Sequence, residues 1–205
     1  MPRLARGSVG GWIGTTLRAR FPKLAAVMSE RELDAMLERF FRAEPAAATS
    51  VVEASAKLPA FVAAEHPRWY AELALLDRAR AHVLKAPAVK PLLRRDVTSD
   101  RELRLVPAHA LVQLTTTADE LWLELEAARP VTVVPRELDW PRSVLVWRAE
   151  RLALRAVEPA EAAALREAVH GTSLVELAAG LGGDRAHARA LDLVLRWLDA
   201  ALLVA

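Results

Sequence analysis

Five histidines, His66, His82, His109, His170 and His187, are the side chains best suited to metal ligation or proton transfer, and their spacing supports neither role. No two stand four apart on a helix, and none sits in an H-E-x-x-H arrangement. His66, before Pro67, reads as a helix-start residue, and His170, before Gly171, as a last-turn group favoured by the helix dipole. Cysteine is absent, which removes thiolate nucleophiles, thiolate metal sites and disulfides and fits a reducing interior. No G-x-S-x-G elbow, Walker loop or dinucleotide fingerprint occurs. Gly180-Leu181-Gly182-Gly183 is glycine-rich, but it falls between two expected helices and not after a strand, so it reads as an inter-helix turn and not a phosphate cradle. Asp119, Glu120 and Glu124 are spaced for capping and a solvated helix face, not for paired-carboxylate catalysis. Catalytic, cofactor-binding and metal-binding residues are therefore all expected to be none in this chain.

Six tryptophans are the remaining candidates for chemistry, because an indole buries a large area with little entropy loss and is enriched at binding hot spots. Trp69, Trp122 and Trp197 fall in helical apolar patterns and are expected in the core. Trp140, beside a proline-rich stretch, and Trp147, on a candidate edge strand, are the interface candidates.

A chain of 205 residues can bury roughly 70% of the surface its unfolded form exposes, enough for a substantial core. Charged residues are interspersed throughout, without the polar low-complexity tracts of disorder. No stretch approaches the ~20 apolar residues of a membrane span, and Met1 to Gly14 lacks the apolar run of an export signal, so a cytoplasmic protein is expected. The formal charge of +2 is unevenly spread: residues 1–100 hold 16 Lys and Arg against 11 Asp and Glu, and residues 101–205 hold 12 against 15. A nucleic-acid reader concentrates positive charge on its recognition module. Here the half that most resembles such a module is the acidic one.

The elements that must position these residues form an α+β pattern in two expected domains, helical over 1–98 and mixed over 99–205. Ser29 with Glu32 makes a capping box before the stripe Leu33, Met36, Leu37, Phe40 and Phe41. Thr49 to Ala64 reads as helix, with Pro59 marking a break or fresh start. Pro67 opens a helix carrying Trp69, Leu73, Leu76, Arg80, Val83 and Leu84. Ala86 to Asp100, with Pro87, Pro91 and the basic pair Arg94–Arg95, reads as the connection between halves.

In the second half, Leu103 to Val106 and Ala110 to Leu114 read as short strands, and Thr117 with Glu120 as a capping box before Leu121, Trp122 and Leu125. Pro130, Pro135 and Pro141 make the next segment loop or edge strand. Val144 to Trp147 and Leu152 to Ala156 form a hairpin about Ala149–Glu150. Three helices follow: one from Glu158–Pro159 to Gly171, one capped by Ser173 with Glu176, and one capped by Asp184 whose buried stripe is expected at Leu191, Val194, Leu195, Leu198 and Leu202. A hairpin followed by three helices is the order of a small winged-helix-like domain.

The segment Lys57-Leu58-Pro59-Ala60-Phe61-Val62-Ala63 to His66-Pro67, followed by Tyr70-Ala71-Glu72-Leu73-Ala74-Leu75-Leu76-Asp77-Arg78-Ala79, resembles the helical core of the HvfC/BufC family, whose members often carry a DNA-binding label. Leu145-Val146-Trp147-Arg148 and the helix start Glu158-Pro159-Ala160-Glu161 extend the resemblance over most of the chain, without the extra N-terminal helix common in that family. The resemblance implies an accessory subunit for a multinuclear non-heme iron oxidative enzyme, similar to the MbnC subunit of methanobactin biosynthesis. Iron would reside in that partner, in a heterodimer, and the accessory chain would engage the leader of a ribosomally made precursor peptide whose cysteines are modified. The hairpin-first order of the last 60 residues is likewise that of the PqqD-like peptide-recognition element.

Strand addition is the expected mode: an extended leader pairs with the edge of Val144, Leu145, Val146, Trp147 and Arg148, while Arg185 and Arg189 meet acidic leader residues. Trp140, Arg94 and Arg95 are the expected contacts to the partner enzyme. The competing class is a DNA-binding winged-helix regulator reading duplex with Arg185, His187 and Arg189, although three basic groups in an acidic half give weak phosphate binding with a shallow salt slope.

Overall fold

Helix formation in the first half follows from caps and from apolar spacing. In the computed structural model, which describes residues 9–204, Ser29 accepts from the Glu32 amide while the Glu32 carboxylate accepts from the Ser29 amide, closing the expected capping box. The expectation of no export signal over Met1–Gly14 rests largely on residues outside that range. Five helices precede the first strand: α1 (Val9–Arg20), α2 (Pro22–Ala26), α3 (Glu30–Ala43), α4 (Val51–Glu65) and α5 (Arg68–Lys85). Then come β1 (Arg104–Leu105), β2 (His109–Thr116), α6 (Ala118–Glu126), β3 (Glu137–Arg148), β4 (Leu152–Val157), α7 (Pro159–Ala168), α8 (Leu174–Leu181), α9 (Ala186–Asp199) and β5 (Leu203–Val204). The fold is α+β, with small antiparallel sheets. No described helix is long and apolar enough to cross a membrane.

Compactness divides the chain along lines other than the expected cut between 98 and 99. One unit holds residues up to Ala81 together with Leu114–Pro141, and the second holds His82–Gln113 together with the chain from Arg142 onward. The boundary passes through α5, β2 and β3, elements that each belong partly to both units. A linear split could not anticipate this, because α6 and its flanking segments return to the helical unit after the chain has left it.

In the first unit the stripe of α3 behaves as its periodicity requires: Leu33, Met36, Leu37 and Phe40 are buried among Ile13, Leu17, Leu24, Leu58 and Val62, with Phe41 packed against them. Burying each such side chain contributes about 1.5–3 kcal/mol. Pro59 does not break its helix. α4 runs unbroken from Val51 to Glu65, because Ala54, Leu58, Pro59 and Val62 all face the core and their burial outweighs the one amide that proline withdraws. Ser50, not foreseen as a cap, accepts from the Glu53 amide and starts that helix. Thr117 makes no capping bond at the start of α6; its hydroxyl accepts from the Arg136 amide at 3.2 Å instead.

In the second unit β3 and β4 form the expected hairpin, in register from Ser143↔Val157 to Arg148↔Leu152. Pro141 lies within β3 but before Ser143, where no β4 partner begins, so its missing N–H costs no bond to β4. Gly171, at φ +92°, ends the α7 segment, and Gly182 and Gly183, at +57° and +78°, make the turn after α8. Two expectations for the last helix fail. Its N-cap is Arg185, without a side-chain cap, in place of Asp184, and its buried face is Ala190, Leu193, Val194 and Trp197, leaving Leu191 44% exposed. The indole of Trp197 sets the phase of the helix, and Leu202 is buried only because the chain turns at Ala201 (φ +51°) into β5. β5 pairs antiparallel with β1 through Arg104↔Val204 and Leu105↔Leu203, with Pro91 bridging Val204.

Candidate functional site

The β3–β4 hairpin carries most of the residues expected to bind peptide, and the sheet order β2-β3-β4 overturns the expected use of them. Val144 to Arg148 lie in the central strand, not at an edge: β4 occupies one margin and β2 the other. Val144, Leu145 and Val146 are fully buried. The cause is β2, whose pairing with β3 across a helix and a long loop leaves no local signal in the sequence. β4 and β2 are the two edge strands of this sheet, each with a strand neighbour on one side only.

The remaining expected peptide contacts, Arg185 and Arg189, do not converge on the hairpin. Trp147 is half-buried, and its indole N–H donates to the Ala200 carbonyl at 3.0 Å, at the C-terminal end of α9. Arg185 and Arg189 flank the opposite end of that 14-residue helix, about 20 Å away at 1.5 Å per residue. Arg185 is exposed, whereas Arg189 donates to the Leu181 carbonyl at 3.0 Å and to the Gly182 carbonyl, satisfying the C-terminal end of α8. His187, on the same turn, is exposed.

Arg148 occupies the end of the hairpin. Its guanidinium donates to the carbonyls of Leu84 at 3.0 Å and Ala86 at 2.6 Å, contacts that hold the cation without a carboxylate. Beside it a cavity of about 340 Å3 is walled by Pro87, Val89, Val106, Ala201 and the hairpin residues Arg148 and Glu150. Its volume lies at the lower end of the range of small-ligand pockets, roughly 300–1,000 Å3. Along the β3–β4 pair Leu145 faces Arg155, whose guanidinium bonds Glu161 at 2.6 and 3.0 Å and lies 6.0 Å from the Trp147 ring.

Of the expected partner contacts, Trp140 is 82% exposed and Arg95 is exposed, while Arg94 makes a solvent-exposed ion pair with Asp199 at 2.6 Å. Trp122 and Trp197 are core as expected; Trp69 is only half-buried, stacked on Tyr70 at 3.7 Å.

Four carboxylates are buried: Asp119, expected for capping and a solvated helix face, and three that the sequence analysis did not single out, Glu72, Asp77 and Glu161. Asp77 accepts from the Lys23 and Leu24 amides at 2.8 and 3.1 Å and from the Trp122 indole at 3.2 Å. It thereby caps α2, whose own N-cap, Phe21, has no acceptor to offer. Burial pushes its pKa from 3.8 up to about 6, against the opposing pull of those donors. Glu72 accepts from both amides and both hydroxyls of Thr115 and Thr116 at 2.5–3.0 Å. Glu161 accepts from Arg155 and from the Trp197 indole at 2.9 Å. Burial raises its pKa, but Arg155, Trp197 and the charge of Arg196 outweigh that and leave it below the usual carboxylate value. Each acid sits beside an apolar stripe, as Asp77 does beside Leu76, and that interruption was the available signal.

Glu72, Asp77 and Glu161 are occupied by structural donors, an arrangement that caps and ties elements. Burial also lowers His109, whose Nδ1 lies 2.5 Å from the Val106 carbonyl. Among the described residues no group of three or more His, Asp or Glu side chains is placed to hold a metal ion. Set against known proteins, the chain matches no family model and no curated protein.

Proposed function

We propose that this chain is a non-catalytic accessory subunit that binds an iron-dependent oxidative enzyme and the leader of a ribosomally synthesised precursor peptide, so that the enzyme can modify the peptide's cysteines. The observation that carries the reading is β4, the edge strand that begins beside Arg148, whose guanidinium donates to backbone carbonyls and pairs with no carboxylate among the described residues. An extended leader adds to β4 through main-chain hydrogen bonds, and an acidic leader residue reaches Arg148 over the adjoining cavity. The site thus shifts by one strand from that expected of Val144 to Arg148. A hairpin followed by α7, α8 and α9 supports a winged-helix-like, PqqD-like assignment of the second unit, and the resemblance over Lys57 to Ala79 supports the link to the HvfC/BufC family. Trp140, by its exposure, is the anchor offered to the partner enzyme.

The experiment is co-expression with the products of the neighbouring genes, followed by purification through a tag on this chain. A stoichiometric heterodimer carrying iron in the partner, and cysteine modification only when both proteins are present, is the expected result. Sequence-specific duplex binding at physiological salt, with no partner retained, would replace this reading by the DNA-binding one.

A further inference from the structure

A second surface of the same unit is independent of the hairpin. Between α7 and α8 lies a groove of about 510 Å3 whose floor is the buried Ala164 and Leu177 and whose walls are mostly small: the methyls of Ala160 and Ala163 and the bare backbone of Gly180, with Thr172 and Leu181 beside them. Its only charged lining residues are Glu167 and Glu176. Glu176 is held ionised, because the Ser173 hydroxyl and amide donate to its Oε2 and pull its pKa down. The negative sign is that of these two side chains: Glu161, close by in sequence, is buried and paired with Arg155, and Arg189 is spent on the carbonyl of Leu181 at the groove's end.

Gly180 adds an observation of another kind. It is the penultimate residue of α8, and a Cβ built there meets nothing within 4 Å. Nothing inside the chain requires glycine at that position, and its φ is not in the left-handed region. A bare backbone facing open space beside alanine walls admits the close approach of another helix, and the carboxylates decide the sign of its charge.

We propose that the α7–α8 groove docks a helical partner segment that presents a small apolar ridge flanked by lysine or arginine. The ridge lies on Ala164 and Leu177, and its cations reach Glu167 and Glu176.

The test is a titration of the isotope-labelled full chain, followed by NMR, with a stapled amphipathic helical peptide of about four turns carrying an Ala/Leu ridge and flanking lysines. Two comparison ligands are its twin with every lysine replaced by glutamate, and spermidine. The expected result is saturable shifts confined to α7 and α8, weakened about tenfold or more in Glu167→Lys and on raising salt from about 0.05 to 0.5 M. The exposed substitution Ala163→Trp, which fills the groove, should abolish binding while leaving the β3–β4 resonances in place, so a folded variant is recognised as such. Equal binding of the charge-reversed twin, shifts confined to other elements, or saturation by spermidine without the helical peptide would each overturn the proposal. Leu154→Pro, which disrupts β4 and with it the leader site, is expected to leave this binding unchanged, so the two readings fail separately.

Discussion

Each unit buries a tryptophan whose indole N–H is given to a carboxylate, and the two carboxylates are kept in opposite ways. In the first unit Trp122 donates to Asp77, which has only amide and indole donors around it; Lys23 lies nearby, but its ammonium goes to Glu126 at 2.7 Å and to the Leu125 carbonyl. In the second, Trp197 donates to Glu161, which also receives the two-pronged bond of Arg155. Burial dominates the first acid and raises its pKa to about 6; arginine dominates the second and lowers it. The same sequence event, an acid among apolar helical residues, thus gives an uncompensated polar junction in one unit and a compensated one in the other.

The largest effect should come from removing the uncompensated junction. Asp77→Ala leaves two amides and an indole N–H buried without acceptors, and chemical denaturation should register a loss of about 3–5 kcal/mol. A loss below about 1 kcal/mol would mean that α2 does not depend on this cap.

Opposite pH dependences come next. Asp77 binds its proton more tightly folded than unfolded, so the unfolded chain ionises first. Its contribution is therefore greatest below pH 4 and declines as pH rises from about 4 to about 6. A rise from 3.8 to about 6 corresponds to at most about 3 kcal/mol at 1.36 kcal/mol per unit. Glu161, with its pKa lowered, contributes above 4.5 and loses that contribution as pH falls through its folded value. Indole N–H exchange read at Trp122 and Trp197 should show protection of the first growing between pH 7 and 5 while that of the second holds, then falls at lower pH.

Glu161→Gln keeps an acceptor for Trp197 but removes the charge that holds Arg155, and thermal unfolding should show a loss of about 1.5–3 kcal/mol. Gly171→Ala should cost about 1–2 kcal/mol, chiefly because φ of +92° is hostile to a side chain; its Cβ would also press on the flexible end of Glu102 at 2.3 Å. The smallest effect has the opposite sign. Ala201 already sits at φ +51°, so Ala201→Gly should stabilise the second unit by about 0.5–1 kcal/mol, seen as a raised melting temperature.

What was legible in the sequence was local. Ser29 with Glu32 and Ser173 with Glu176 are caps complete within four residues, and the hairpin from Ser143 to Val157 is set by alternation about one turn. What was not legible depends on distant partners. Thr117 looks like a cap until Arg136 supplies its donor, and Pro59 looks like a break until the core holds the helix straight. Val144 to Arg148 looks like an edge until β2 pairs beside it. The phase of α9 went astray because one buried indole, Trp197, outweighs the pull of several leucines. The site residues suffered most, since Arg185 and Arg189 are near in sequence to the hairpin's covering helix but lie at its far end.

The proposed role stands or falls with the pairing of an extended acidic peptide along β4. Backbone hydrogen exchange of the chain, alone and with an extended acidic peptide, is the decisive measurement. Slowed exchange is expected at alternate residues of Leu152–Val157, with the effect weakened when Arg148 is replaced by alanine. Unchanged exchange along β4 with the peptide bound elsewhere, or protection induced only by duplex DNA, would contradict it.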